Sequence, residues 1–291
     1  MTPNIPRGRA GARGASIVCF PERRIDNRIA QDNLTLPLLP AIAARANDVV
    51  RKPDASIKDL VATVELDPIL AALVMRQANG SGARTLEQAV SKLGHQKIRS
   101  ILAESSSHRV MESRDSKSAD ATRLIWEHVR AVAILAQNVA VLAGVEEPEL
   151  CYVAGLLHDI GKPVVAIMLL EAEAQIAQRN PKLWIDADTW IGVIERTHRK
   201  IGVNLAKKWQ FSEEVQKSVL EFSDYDAANR QSIANAVHFG NALAKQLGIY
   251  LGEVSTDDND AQVMVGRSLL GIDDDGIARV AADIKSRCKL V

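Results

Sequence analysis

His158 and Asp159 stand side by side at the end of an apolar run, in the segment AGLLHDIGK from Ala154 to Lys162. Imidazole and carboxylate groups are ligand types for first-row divalent ions, but a two-residue match arises often by chance. Its weight depends on whether other ligand-type side chains reach the same place. His128 shares a helical face with Leu124, Ala131, Val132 and Leu135, so it points to a buried side. His198 is in register with Ile194, Ile201, Gly202 and Leu205, with Glu195 three residues before it. His238 and Asn241 lie three residues apart, and Ala234 and Val237 share the Asn241 side. Four helices would thus present His128, His158 with Asp159, His198, and His238 or Asn241 to one interior. That is a nitrogen and oxygen set suited to Fe, Mn, Zn or Mg. A plainer alternative stands beside it, in which each inward histidine is a hydrogen-bonded core residue, and it applies above all to His198 and His238. Asp159 is the informative member, because a carboxylate beside a buried imidazole needs a cation, a donor or water.

The elements that would hold these groups are helices. The chain has 291 residues, 47% of them apolar, enough for a large core and for two domains or one long one with appendages. Thirty-six basic and 36 acidic residues cancel, so no overall field recommends nucleic acid or an anionic membrane as partner. Apolar runs such as PVVAIMLL (Pro163 to Leu170) fall short of the roughly 20 residues that span a bilayer, so a soluble protein is expected. Cys19, Cys151 and Cys288 are odd in number and far apart, which argues against a disulfide framework or zinc–thiolate site and fits a reducing cytoplasm. No pattern for an organic cofactor is present: no glycine-rich phosphate cradle and no nucleotide-binding βαβ unit.

Residues 1–33 read as a flexible basic arm, with arginines at 7, 9, 13, 23, 24 and 28 against Glu22 and Asp26. ASIVCF (Ala15 to Phe20) is too short for a secretory signal. An N-terminal helical subdomain is expected over 34–112. Pro37 and Pro40 precede a helix that Pro53 stops; Ser56 with Asp59 caps a second; Asp67 and Pro68 open a third, ending near Asn79 and Gly80. Thr85 with Gln88 opens a fourth that Gly94 stops, and a fifth follows at once with Ile98, Ile101 and Leu102. Read as helix-turn-helix, this stretch would expose only Arg76 and Gln77 to bases, which disfavours nucleic acid. His95 and His108 read as solvated or capping groups.

A polar linker is expected at 113–120, then a second helical subdomain over 121–250. Its first helix runs from about Ala121 to Ala143 and ends at Gly144; Pro148 opens the helix that leads to His158. Trp126, Trp184, Trp190 and Trp209 read as core or interface fillers. A C-terminal extension over 251–291 begins with the acidic, irregular GEVSTDDNDAQ and continues as helices. The last carries Ile277, Val280, Ala281 and Ile284 on a face that would dock on the second subdomain or, alternatively, join a second copy in a homodimer.

The segments LPLLPAIAARANDVV, ASIKDLVATVELDPILAALVMRQAN, TLEQAVSKLG, WEHVRAVAILAQNVA and AGLLHDIGK occur in an order that resembles the HDOD domain, a signalling relative of the HD phosphohydrolase superfamily. The resemblance covers about Leu34 to Gly248. It implies an all-α, two-subdomain helical bundle whose second subdomain is of HD type. In HD phosphohydrolases a histidine, the His–Asp doublet and a late aspartate hold metal; the first corresponds to His128 and the doublet to His158 and Asp159. The late aspartate falls at Asn241, a neutral and weaker ligand that removes a charge helping to hold a nucleophilic water. Paired histidines of two-metal members have no counterpart in VLEFSDYD, where Glu221 and Phe222 stand, and the GYP signature is absent.

Two functions follow from the resemblance. One is a bacterial signalling module acting through a protein partner, with a vestigial or structural metal site and an exposed apolar surface on the first subdomain or at its junction with the second. The other is a metal-dependent phosphohydrolase of a nucleotide or phosphomonoester. In that case His128, His158, Asp159 and Asn241 would hold the ion, Asp159 would also orient the water, and Lys162 or His198 would contact phosphate. The altered late ligand favours the first.

Overall fold

Prolines at first-turn positions and side-chain caps set where the helices of this chain begin. The computed structural model describes residues 27, 38–52, 54–107, 113, 115–180, 183–220, 224–282 and 284–288. The basic arm apart from residue 27, and with it Cys19, lies outside the described residues, as do Pro37, Pro53, His108, Glu221 and Phe222. Among the described residues the fold is all α. Its helices are α1 (Pro40–Arg51), α2 (Ile57–Val64), α3 (Pro68–Gln77), α4 (Leu86–Ser107), α5 (Ser116–Ala143), α6 (Pro148–Leu157), α7 (Gly161–Arg179), α8 (Ala187–Lys208), α9 (Glu213–Val219), α10 (Ile233–Gln246), α11 (Thr256–Leu270), α12 (Asp274–Ala281) and α13 (Ile284–Arg287).

The first group is α1 to α3 packed on α4. Ser56 caps α2 in a full capping box with Asp59, and Pro40 and Pro68 occupy first-turn positions of α1 and α3. Gly94, at φ 75°, kinks α4 where two helices were expected in succession. The second group is organised on α5, whose 28 residues contact α6, α7, α8, α10, α12 and α13. One continuous buried cluster runs through both groups. Asp67 joins them: its Oδ1 accepts from Ile69 N at 2.7 Å and Leu70 N at 3.0 Å, while its Oδ2 accepts from Trp126 Nε1 on α5 at 2.8 Å. The residue is wholly buried, and burial pushes its carboxyl upward despite these three donors.

Three local expectations change. Helix α5 starts at Ser116 rather than near Ala121, because Asp115 accepts from Lys117 N and Ser118 N and converts most of the expected linker into a first turn. Helix α11 likewise takes in most of the acidic stretch expected to be irregular: Ser255 caps it, and Asp257 and Asp258 sit in its first turn, where carboxylates favour helix. Finally, Pro148–Arg179 is by length and composition apolar enough to cross a membrane, since α6 continues almost directly into α7. Its most apolar stretch is 94% buried inside the fold, as befits a pair of core helices.

Trp126, Trp190 and Trp209 are buried, and Trp184 is 52% exposed. Arg76 lies over the Trp209 ring, 5.1 Å from its centroid, which takes away one of the two groups a base-reading helix would need. Helices α12 and α13 both pack on α5.

Candidate functional site

The end of α6 is brought against α5 by a missing side chain. A Cβ on Gly155 would lie 2.8 Å from Ala133 Cα, so only glycine lets the two backbones approach this closely. His158 therefore reaches His128, with ring centroids 5.3 Å apart. The start of α7 makes a tighter approach to α8: a Cβ on Gly161 would fall 1.8 Å from the carbonyl oxygen of His198. His198 thereby joins the same cluster.

Hydrogen bonds fix what each imidazole can do. His128 Nδ1 lies 2.7 Å from Ile249 O, His158 Nδ1 is 2.8 Å from Gly155 O, and His198 Nδ1 is 2.8 Å from Ile194 O. A carbonyl only accepts, so each Nδ1 carries the proton and donates it, leaving Nε2 with a lone pair. Those lone pairs face Asp159. His158 Nε2 is 3.5 Å from Oδ2, His128 Nε2 is 3.9 Å from Oδ2, and His198 Nε2 is 3.9 Å from Oδ1. Lys162, one helical turn on, donates to this carboxylate: its Nζ is 2.6 Å from Asp159 Oδ2.

The electrostatics agree with that assignment. Burial is the largest influence on His128, His158 and His198 and drives all three below the ordinary imidazole range, although Asp159 pulls the other way. Burial would raise the Asp159 carboxyl, but the Lys162 charge holds it well below the usual carboxylate range. Burial would lower Lys162, and Asp159 more than compensates.

A divalent ion fits these residues. One ligand atom each from His128, His158 and Asp159 lies within 4.8 Å of the others, and the Nε2 atoms of His128 and His158 are buried with no hydrogen-bond partner. Buried acceptors aimed at one another call for a cation between them. Asn241 lines the same cleft, of about 420 Å³, and its buried Oδ1 also lacks a partner. Lys162 lines the cleft too. His238 is on the cleft wall, but its Nε2 donates to Gln262 Oε1 at 2.9 Å and its ring stacks at a tilt on Tyr225, so it is engaged with α11 rather than with the cluster. His95 reaches Ala55 O at 3.0 Å.

Tyr250, Lys245 and Arg199 complete the cleft without having been anticipated. The Tyr250 ring lies between two ammonium groups, 4.8 Å from Lys162 Nζ and 5.0 Å from Lys245 Nζ, and packs edge-on against His128. Tyr250 sits in the loop after α10, outside any periodic run. The one sequence signal for it was its position two residues after Gly248, which follows the end of the helix.

With this geometry in view, the comparisons with known proteins are specific. The family model of the HDOD domain matches residues 36–225, most of the chain, and the chain belongs to that family. An uncharacterized protein of Treponema pallidum (strain Nichols) is 25% identical over 196 residues, which are 63% of this chain and 37% of that protein. The chain thus spans little more than a third of the curated relative it matches. The crystal structure of the MmoQ response regulator from Methylococcus capsulatus (strain Bath) aligns with a TM-score of 0.60 at 19% identity, covering 85% of this chain and 98% of that one. A fragment of the same protein gives a TM-score of 0.57 at 20% identity, covering 84% and 94%. At these identities the likeness establishes the fold.

Proposed function

We propose that this chain is a regulatory HDOD module that works through contacts with a signalling protein, and that its His–His–Asp cluster is a structural or sensing site rather than a hydrolytic centre. The observation that carries this reading is the charge count at the cluster. Among the described residues Asp159 is its one carboxylate, Lys162 already neutralises it at 2.6 Å, and the other oxygen donor at the cluster, Asn241, is an uncharged amide. A hydrolytic site must hold a dication and keep its water activated, which this set does poorly. MmoQ, of like fold, is a response regulator, and this supports the reading as an analogy of fold. Cys151, a buried free thiol, suits a reducing compartment, and we place the module in the cytoplasm. The partner surface departs from expectation: among the described residues the exposed large apolar side chains lie from Val141 onward, with Trp184 and Met264 prominent and none on α1 to α4. The short first-group helices turn their large apolar residues into the common core, which leaves the apolar surface to the second group and the extension.

The second reading, a metal-dependent phosphohydrolase, is favoured by the two orphaned Nε2 atoms. His128, His158 and Asp159 would hold an Fe, Mn, Zn or Mg ion, with Asn241 at the edge of the set. Such an ion, when bound, polarises a phosphoryl oxygen and lowers the pKa of a water. The chain's own part would be to orient the imidazoles through Ile249 O and Gly155 O, and to offer Lys162 and His198 to a phosphate group. Elemental analysis of the purified protein, with phosphate release from nucleotides and phosphomonoesters measured in added Mn²⁺, separates the readings. The regulatory module shows no turnover, whether or not metal is present, while His158→Ala abolishes any metal content. Divalent-dependent phosphate release that vanishes in His158→Ala would overturn the regulatory reading.

A further inference from the structure

A second cavity, of about 470 Å³, opens on the other side of α5, between α2 and the start of α4 on one wall and α5, α6 and α13 on the other. It shares no lining residue with the His–Asp cleft. Its floor is apolar, with Leu86, Ile134 and Val153 buried. Its charged lining is Glu65, Glu87 and Glu149 against Arg130 and Arg287, with Thr85, Gln137 and the Tyr152 phenol as neutral polar neighbours.

Two of these groups, Glu65 and Tyr152, differ from the ordinary contents of a helical interface. The Glu65 carboxylate and the Tyr152 hydroxyl make no hydrogen bond among the described residues; both side chains are half-buried and line the cavity. Arg130, the guanidinium nearest in sequence position to the floor, is directed elsewhere: Nη1 donates to Cys288 O at 3.0 Å and Nη2 to Arg287 O at 3.1 Å, anchoring the end of α13. Burial holds the Glu65 carboxyl above its usual range, the Arg130 charge offsets part of that, and Glu87 adds to it. The cavity's chemistry is therefore an apolar floor, an unpaired carboxylate beside an unpaired phenol, and a net excess of acid.

We propose that this cavity is a binding site for a small organic ammonium, a primary amine with an apolar body, whose charged head pairs with Glu65 and hydrogen-bonds Tyr152 while its body lies on Leu86, Ile134 and Val153. Both helix groups and the C-terminal helix line the cavity, so a bound amine would brace all three against one another. It is a site separate from the His–Asp cleft and does not depend on metal there.

The test uses the full chain, with phenethylammonium as probe and amide chemical shifts as readout. 2-Phenylethanol, of nearly the same shape, supplies the uncharged control. Saturable shifts at the amides of Glu65, Leu86, Ile134 and Tyr152 are expected, with the alcohol binding about tenfold more weakly. Glu65→Gln should weaken the ammonium about tenfold and Tyr152→Phe about threefold, both variants keeping the parent spectrum elsewhere. His158→Ala should leave the affinity unchanged. The proposal is overturned if the ammonium fails to saturate, if the alcohol binds as tightly, if Glu65→Gln has no effect in a folded protein, or if the shifts centre on Lys162 and Asn241 instead.

Discussion

Asp67 and Asp159 are both carboxylates removed from water, and the protein treats them in opposite ways. Asp67 is surrounded by neutral N–H donors from its own helix and from Trp126, and its proton affinity rises. Asp159 has an ammonium at 2.6 Å, and its proton affinity falls even though three imidazole nitrogens also face it. Neutral donors satisfy a carboxylate's geometry without offsetting the loss of hydration, whereas a cation at 2.6 Å offsets it directly. The first arrangement fastens two helix groups together. The second leaves acceptors in excess around one positive charge, a donor set that could hold a divalent ion.

The comparison is most severely tested by removing each partner in turn. Lys162→Met should cost about 4 kcal/mol in urea unfolding, because it strands a buried carboxylate, and added Mn²⁺ should recover more stability in this variant than in the parent. An unchanged unfolding midpoint would mean that Asp159 has another neutralising partner. Asp67→Ala should cost about 3 kcal/mol, since it uncaps α3 and orphans the Trp126 N–H at once; a loss near that of an exposed cap, about 1 kcal/mol, would show that the tie to α5 contributes nothing.

The pH dependence separates the two carboxylates by sign. Asp159, lowered in the folded state, stabilises the fold above its ordinary value of 3.8 and loses that contribution as pH falls through its folded value. Asp67, raised, works the other way: its folded form holds a proton more tightly than the unfolded chain, so stability drops as pH rises from 3.8 through its folded value. The lowered imidazoles of His128, His158 and His198 make the folded state bind fewer protons than the unfolded one below 6.5, so acidification below that point should destabilise. Urea midpoints measured from pH 7 downward should therefore fall, and Asp67→Asn should deepen the fall by removing a group of opposite sign. The smallest effect belongs to an exposed carboxylate. Glu147 pairs with Arg84 at 2.7 Å with both side chains near 40% exposed, and Glu147→Ala should shift stability by less than about 0.5 kcal/mol, because Arg84 keeps Glu214.

What could be read from the sequence was whatever depends on neighbours a few residues away. Ser56, Asp67 and the prolines marked helix starts because capping is local, and helical spacing alone turned His128 and His198 inward. The start of α5 was missed because Asp115 sits in a run that looks aperiodic until its side chain is seen on Lys117 N and Ser118 N. Tyr250 and Lys245 were missed because their role arises only when the loop after α10 folds over α5 and α7. His238 had the right spacing for the cluster, and its partner, Gln262, is 24 residues away on a helix whose placement no periodicity reveals.

Gly161 has a consequence beyond bringing His198 close. With no room for even one methyl group between it and the His198 carbonyl, the turn that carries His158 and Asp159 and the helix that carries His198 behave as a single rigid body. A signal that moved one would have to move both. Any change of shape in this cleft is therefore set by how α5, with His128, and the Tyr250 loop slide past that block, and Gly161→Ala would act as a wedge that reports the coupling by shifting His198 away from Asp159.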